Sequence, residues 1–69
     1  MEEQWVVIFR CTAPYKAELL KAVLEENEIP TVVINKKDSS YLFGEIEVYV
    51  TQDDVMKAKQ IVNRFEANE

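Results

Sequence analysis

The clearest pattern in this chain is Glu45-Ile46-Glu47-Val48-Tyr49-Val50, in which polar and apolar side chains alternate. A period of two sends successive side chains to opposite faces of a strand. The run therefore predicts a strand with Ile46, Val48 and Val50 inward and Glu45, Glu47 and Tyr49 outward. Two further runs read as strands because they are short, β-branched or aromatic, and bounded by turn residues. They are Trp5-Val6-Val7-Ile8-Phe9, before Thr12-Ala13-Pro14, and Thr31-Val32-Val33-Ile34-Asn35, after Pro30. The first is apolar on both alternations. Arg10 should avoid the interior, so Trp5, Val7, Phe9 and Cys11 are expected in the core and Val6, Ile8 and Arg10 on the opposite face. Trp5 is read as a core anchor.

Helical spacing fills the remaining chain. Ala17, Leu20, Val23 and Leu24 form one apolar stripe, with Lys16, Glu18, Lys21, Glu25 and Glu26 outside it. Pro14 suits the first helical position, where its missing N–H costs nothing. Asn27 or Glu28 should end this helix, with Asn27 expected as the left-handed cap, and Pro30 prevents continuation. Val55, Ala58, Ile61, Val62 and Phe65 form a second stripe, with Lys57, Lys59 and Arg64 outside. Thr51-Gln52-Asp53-Asp54 before it has the spacing of a capping box, and Ala67-Asn68-Glu69 is expected to fray. The order is β-α-β-β-α. It predicts an α+β, ferredoxin-like two-layer sandwich lacking its last strand, with a three-stranded, mainly antiparallel sheet and both helices on one face. A right-handed crossover would make the third strand central and leave the first and second as edges. An edge strand that is apolar on both faces is a liability unless something covers it.

Composition narrows the picture. Sixty-nine residues make a single domain, 1–69, with an ordered core expected over about 4–66. A chain this short buries only about 60% of its unfolded surface, so it needs a supplement to its core. One cysteine and no histidine provide neither an internal disulfide nor a usual metal set, which leaves self-association. No cofactor is expected. The net charge of −5 argues against a nucleic-acid partner. The acidic start is unlike a signal peptide, the apolar run after it is too short to span a membrane, and the lone thiol suits a reducing compartment. A cytoplasmic protein without a membrane partner is expected.

Residues 35–44, Asn-Lys-Lys-Asp-Ser-Ser-Tyr-Leu-Phe-Gly, form a polar loop ending in three bulky apolar residues and the only glycine. Running the strand period backwards sends Leu42 toward the core and Tyr41 and Phe43 to the open sheet face, with a bulge or bend at Gly44. Tyr41, Phe43 and Tyr49 beside Val6, Ile8 and Val33 then form a candidate interaction surface. The alternative is that Leu42 and Phe43 cap the core end. Lys36, Lys37, Ser39 and Ser40 are candidate contacts for an anion, although a phosphate loop would carry more glycines and lead into a helix. Cys11 lacks a histidine base and reads as a small strand-end residue. Glu45 and Glu47 read as a solvated face, with Glu47 opposite Arg10 as a cross-strand ion pair. Asp38, Asp53 and Asp54 are too dispersed for a metal cage. No catalytic constellation is present, and the chain is not expected to be an enzyme.

Several segments together resemble a known family. They are Trp5-Val6-Val7-Ile8-Phe9; Ala17-Glu18-Leu19-Leu20 leading to Leu24-Glu25-Glu26-Asn27-Glu28-Ile29-Pro30; Asp38 to Gly44 with Ile46 to Val50; and Ala58-Lys59-Gln60-Ile61-Val62. The chain resembles the small bacterial domains called putative prokaryotic signal-transducing proteins, which are grouped with the PII-like proteins. The family often reads Glu-Asn-Gly-Ile at the first helix end, and Glu28 stands here in place of that glycine. The resemblance implies a ferredoxin-like or PII-like domain without established enzymatic activity. PII-like proteins use the loop between their second and third strands for effectors and partners, the position residues 36–44 occupy. Two functions are therefore expected. One is a non-catalytic regulatory or protein-interaction domain that self-associates, as dimer or trimer, through its open sheet face or edge strand. The other is a small-molecule sensor binding an anion or nucleotide at the 36–44 loop.

Overall fold

The β-branched runs form strands and the periodic stretches form helices. The computed structural model describes residues 4–36 and 44–67 of the chain. The elements are β1 (Trp5–Cys11), α1 (Pro14–Glu26), β2 (Thr31–Lys36), β3 (Glu45–Thr51), a 3-10 turn (Gln52–Asp54) and α2 (Val55–Ala67). The strands form a three-stranded antiparallel sheet in the order β1-β3-β2, so β3 is central. Ile46, Val48 and Val50 of β3 join Ala17, Leu20 and Leu24 of α1 and Ala58 and Val62 of α2 in one buried cluster. Alternation along β3 therefore puts both helices on the same sheet face. Phe9 and Phe65 close one end of this layer in an edge-to-face contact, with ring centroids 6.0 Å apart.

The ends of α1 follow the local chemistry. Pro14 begins the helix after Ala13, and the last turn closes in a Schellman motif. Ile29 N–H donates to Leu24 O and Glu28 N–H to Glu25 O, each at 3.0 Å. Buried Ile29 and Leu24 supply the accompanying apolar contact. The left-handed residue is Glu28, with φ of 62°, and not Asn27, whose φ is −93°. Asn27 instead turns its side-chain amide back to the Val23 carbonyl at 2.8 Å. The expected capping box before α2 is also different in detail: the Thr51 hydroxyl donates to the Asp54 carboxylate at 3.1 Å, and no side chain caps the backbone there. Ala67 is the last residue of α2, and Asn68 and Glu69, the rest of the stretch expected to fray, lie outside the described residues.

The largest departure from the alternation is in β1. Trp5 pairs with Thr51, Val6 with Val50 and Val7 with Tyr49, but Phe9 pairs with Val48, so Ile8 is an inserted residue. This β-bulge shifts the phase. Phe9 and Cys11 pack against the core as expected, whereas Trp5 and Val7 share the open face with Tyr49 and Val6 turns to the side of Val50. Ile8 packs against the core beside Phe9. Parity counted from Arg10 thus holds for residues 9–11 and inverts before the bulge.

Candidate functional site

Among the described residues, the sheet face left open by the helices is built from the residues of β3 that point away from them and their cross-strand neighbours. Val7, Tyr49 and Val32 make one row, and Arg10, Glu47 and Ile34 the next. Trp5 lies beyond the first row and Lys36 with Glu45 beyond the second. One half of the face is consequently apolar. Trp5, Val32 and Ile34 are 42%, 39% and 42% exposed around Tyr49, and these four line a shallow concavity of about 270 Å³.

The other half is an ion cluster centred on Glu47, which is only 5% exposed although it faces away from the core. Its cover is a single layer of neighbouring side chains. Tyr49 donates its hydroxyl to Glu47 Oε1 at 2.6 Å, Lys36 Nζ lies 3.3 Å from the same oxygen, and Arg10 Nε donates to Oε2 at 3.2 Å. The expected cross-strand pair with Arg10 is present, but Glu47 belongs to a covered cluster and not to a solvated face. The Tyr49 hydrogen bond, helped by Arg10 and Lys36, holds the Glu47 carboxyl below its usual pKa, and partial desolvation opposes this. The same hydrogen bond, with desolvation and the carboxylate's charge, holds the Tyr49 phenol above its usual value. A carboxylate kept ionised, with both oxygens occupied, is a poor proton acceptor near neutral pH.

Of the candidate interaction residues, Tyr49 stands on the open face. Val6 shares the face of Val50, Ile8 packs against the core from the bulge, and Val33 pairs with Val48 and packs against the core. These three placements correct the expectation. Tyr41 and Phe43 lie outside the described residues, as do Lys37, Ser39 and Ser40 of the candidate anion site. Lys36 is engaged with Glu47. Gly44 has no positive φ, and the register irregularity among the described strands lies in β1, between Val7 and Phe9. The residues missed on this face are Trp5, Val7, Val32 and Ile34. The last two could have been found from Lys36: a lysine belongs on the solvated side, and counting back by two gives Ile34 and Val32. The Cys11 thiol donates to the Ala13 carbonyl at 3.4 Å. Among the described residues no three of His, Cys, Asp and Glu are grouped to hold a metal ion, and no helix is long and apolar enough to cross a membrane.

A second feature lies on the helix side. Tyr15, Leu19 and Val23 recur every four residues along α1 and are exposed, although helical spacing alone assigns Val23 to the core stripe. With Ile61 and Phe65 of α2 they line an open groove of about 680 Å³ that also takes in Lys16 and Arg64.

Among the described residues, helices on one side of a three-stranded sheet and a part-apolar face on the other define a small two-layer α+β domain. The chain belongs to the family described as putative prokaryotic signal transducing protein, which matches residues 5–66. No curated protein and no solved structure gives a significant match.

Proposed function

We propose that this chain is a non-catalytic regulatory or protein-interaction domain of the cytoplasm that self-associates, as a dimer or trimer, through the open face of its sheet. The observation that carries the reading is the exposed apolar half of that face: Trp5, Val32 and Ile34 around Tyr49. Apolar side chains gathered on one side of a small domain mark contacts more often than scattered ones do. The β1-β3-β2 sheet with both helices on one face supports reading the fold as a ferredoxin-like domain lacking its last strand. Of the two routes to self-association, the face is favoured over the β1 edge, because a bulge such as that at Ile8 is a common device against edge pairing. The role in signalling follows the family, and the occupied, ionised Glu47 supports a role other than catalysis.

Trp5 is the only tryptophan and reports on this face directly. Sedimentation velocity and tryptophan emission are measured across a concentration series. The expected result is reversible association accompanied by a blue shift of Trp5, both abolished by Ile34→Lys. A monomer at every concentration, with unshifted emission, refutes the reading. The competing function, an anion or nucleotide sensor at the 36–44 loop, is weakened by the engagement of Lys36 with Glu47. A thermal-shift screen tests it: a ligand-dependent rise abolished by Lys37→Ala would favour the sensor.

A further inference from the structure

The groove between α1 and α2 is unused by the proposed self-association and lies on the opposite side of the molecule. We infer that it is a docking site for an acidic amphipathic helix of a partner protein, with Tyr15, Leu19 and Val23 as the apolar wall and Arg64 as the charged contact. Three observations carry this assignment.

The stripe Tyr15-Leu19-Val23 advances by four residues at each step and covers about 12 Å of helix axis. A partner helix laying its own i, i+4 and i+7 anchors along that line spans a comparable distance. The groove is open along its length and Leu19 is 54% exposed, which suits a helix seated on a ridge better than a small molecule that must be mostly enclosed. The charges then select among partners. The chain carries −5 overall, yet among the described residues the charged ones lining this groove are Arg64 and Lys16, both cationic, and Lys16 already has an interaction partner within the chain. Among the described residues Arg64 makes no ion pair or hydrogen bond through its guanidinium. Its place in the last turn of α2 also suits the helix dipole. A second copy docking groove to groove would set Arg64 near its own counterpart, which disfavours self-pairing here.

The test uses the full chain, ¹⁵N-labelled, titrated with two synthetic helical peptides. Both carry leucines at i, i+4 and i+7; glutamates fill the other face of one and lysines that of the other. The acidic peptide is expected to shift the amides of Leu19, Val23, Arg64 and Phe65. Leu19→Glu and Arg64→Glu should each weaken its binding about tenfold or more, with circular dichroism unchanged, and the basic peptide should bind more weakly. Equal binding of the two peptides, shifts confined to Trp5 and Ile34, or no shift at millimolar peptide would overturn the inference. A peptide-free dimer dissolved by Leu19→Glu, or displacement of the acidic peptide by phosphatidylglycerol vesicles, would also overturn it, in favour of a second copy or a membrane surface respectively.

Discussion

Replacing Glu28 by glycine should stabilise this protein. Glu28 holds the left-handed position of the Schellman motif with φ of 62°. A residue with a Cβ is strained there by about 1–2 kcal/mol. Glycine removes that strain but loses more conformational freedom on folding, an offset of roughly 0.5–1 kcal/mol. The net backbone gain is about 0.5–1 kcal/mol. A domain of this size shifts its melting temperature by roughly 4–8 °C per kcal/mol, so Glu28→Gly should melt roughly 2–8 °C higher. A second contribution has the same sign. The last turn of α1 contains no basic residue, and an acidic side chain just beyond a helix C-terminus opposes the macrodipole by about 0.3–1 kcal/mol.

Two controls separate these effects. Glu28→Gln removes the charge and keeps the Cβ, so its gain should be a few tenths of a kcal/mol at most, screened by salt. Asn27→Gly places the freedom one residue too early, at a φ of −93° that needs none, and deletes the 2.8 Å bond to the Val23 carbonyl. It should therefore destabilise by roughly 1 kcal/mol. Urea and thermal unfolding of the three variants decide the matter. If Glu28→Gly gains no more than Glu28→Gln, or if Asn27→Gly gains as much, Glu28 is not the strained left-handed cap of α1.

Tyr49→Phe should be a pH-dependent lesion. Glu47 titrates lower when folded, so it contributes stability above the usual carboxylate range that is lost as pH falls through the lowered value; Tyr49, raised, contributes stability lost as pH climbs through its own. Melting temperatures of wild type and Tyr49→Phe should therefore differ most near neutral pH, draw together as pH falls below the usual carboxylate range, and meet only below the lowered Glu47 value; a gap independent of pH would refute this. Deletion of Ile8 removes the bulged residue while leaving Trp5 and Val7 open and Phe9 inward, so the variant should fold with native circular dichroism but associate more readily by its flattened β1 edge. Failure to fold would mean that the inserted residue is needed for packing. Leu20→Ala empties a fully buried position and should cost about 2–5 kcal/mol by urea unfolding, a large part of the stability of so small a domain.

The element order was legible because each stretch states its period. Val48 between Glu47 and Tyr49 can only be a half-buried strand, and Leu20 with Leu24 can only be one helix face. Pro14 and Pro30 punctuate as proline must. The bulge was not legible, because an inserted Ile8 in a run of apolar residues changes neither composition nor length noticeably, yet it reverses the face of everything before it. The same weakness affected β2: Val32, Val33 and Ile34 are interchangeable by hydropathy, and only Lys36 breaks the tie. Tyr49 thus marks the open face in the sequence, whereas Val6, Ile8 and Val33 do not share it. Covering of Glu47 was hidden for another reason, since no pairwise spacing announces that three side chains from three strands will close over one carboxylate. The groove had a visible signal in the four-residue spacing of Tyr15, Leu19 and Val23. That spacing was masked because Val23 also fits the core stripe.

The charge distribution gives the two surfaces different partners. On the open sheet face Arg10 and Lys36 are balanced by Glu45 and Glu47, so two such faces can meet without net repulsion. Glu47 already has both oxygens occupied within the chain, and a covering sheet need not supply partners to it. Affinity across that face would then come from Trp5, Val32 and Ile34, while the displaced, charged half limits the orientations in which a second copy fits. The helix groove differs: among the described residues its unpaired charge is the Arg64 guanidinium, which opposes its own copy and suits an acidic partner. Self-association on one side and partner docking on the other can therefore coexist, and Ile34→Lys and Leu19→Glu should each disable one surface while leaving the other intact.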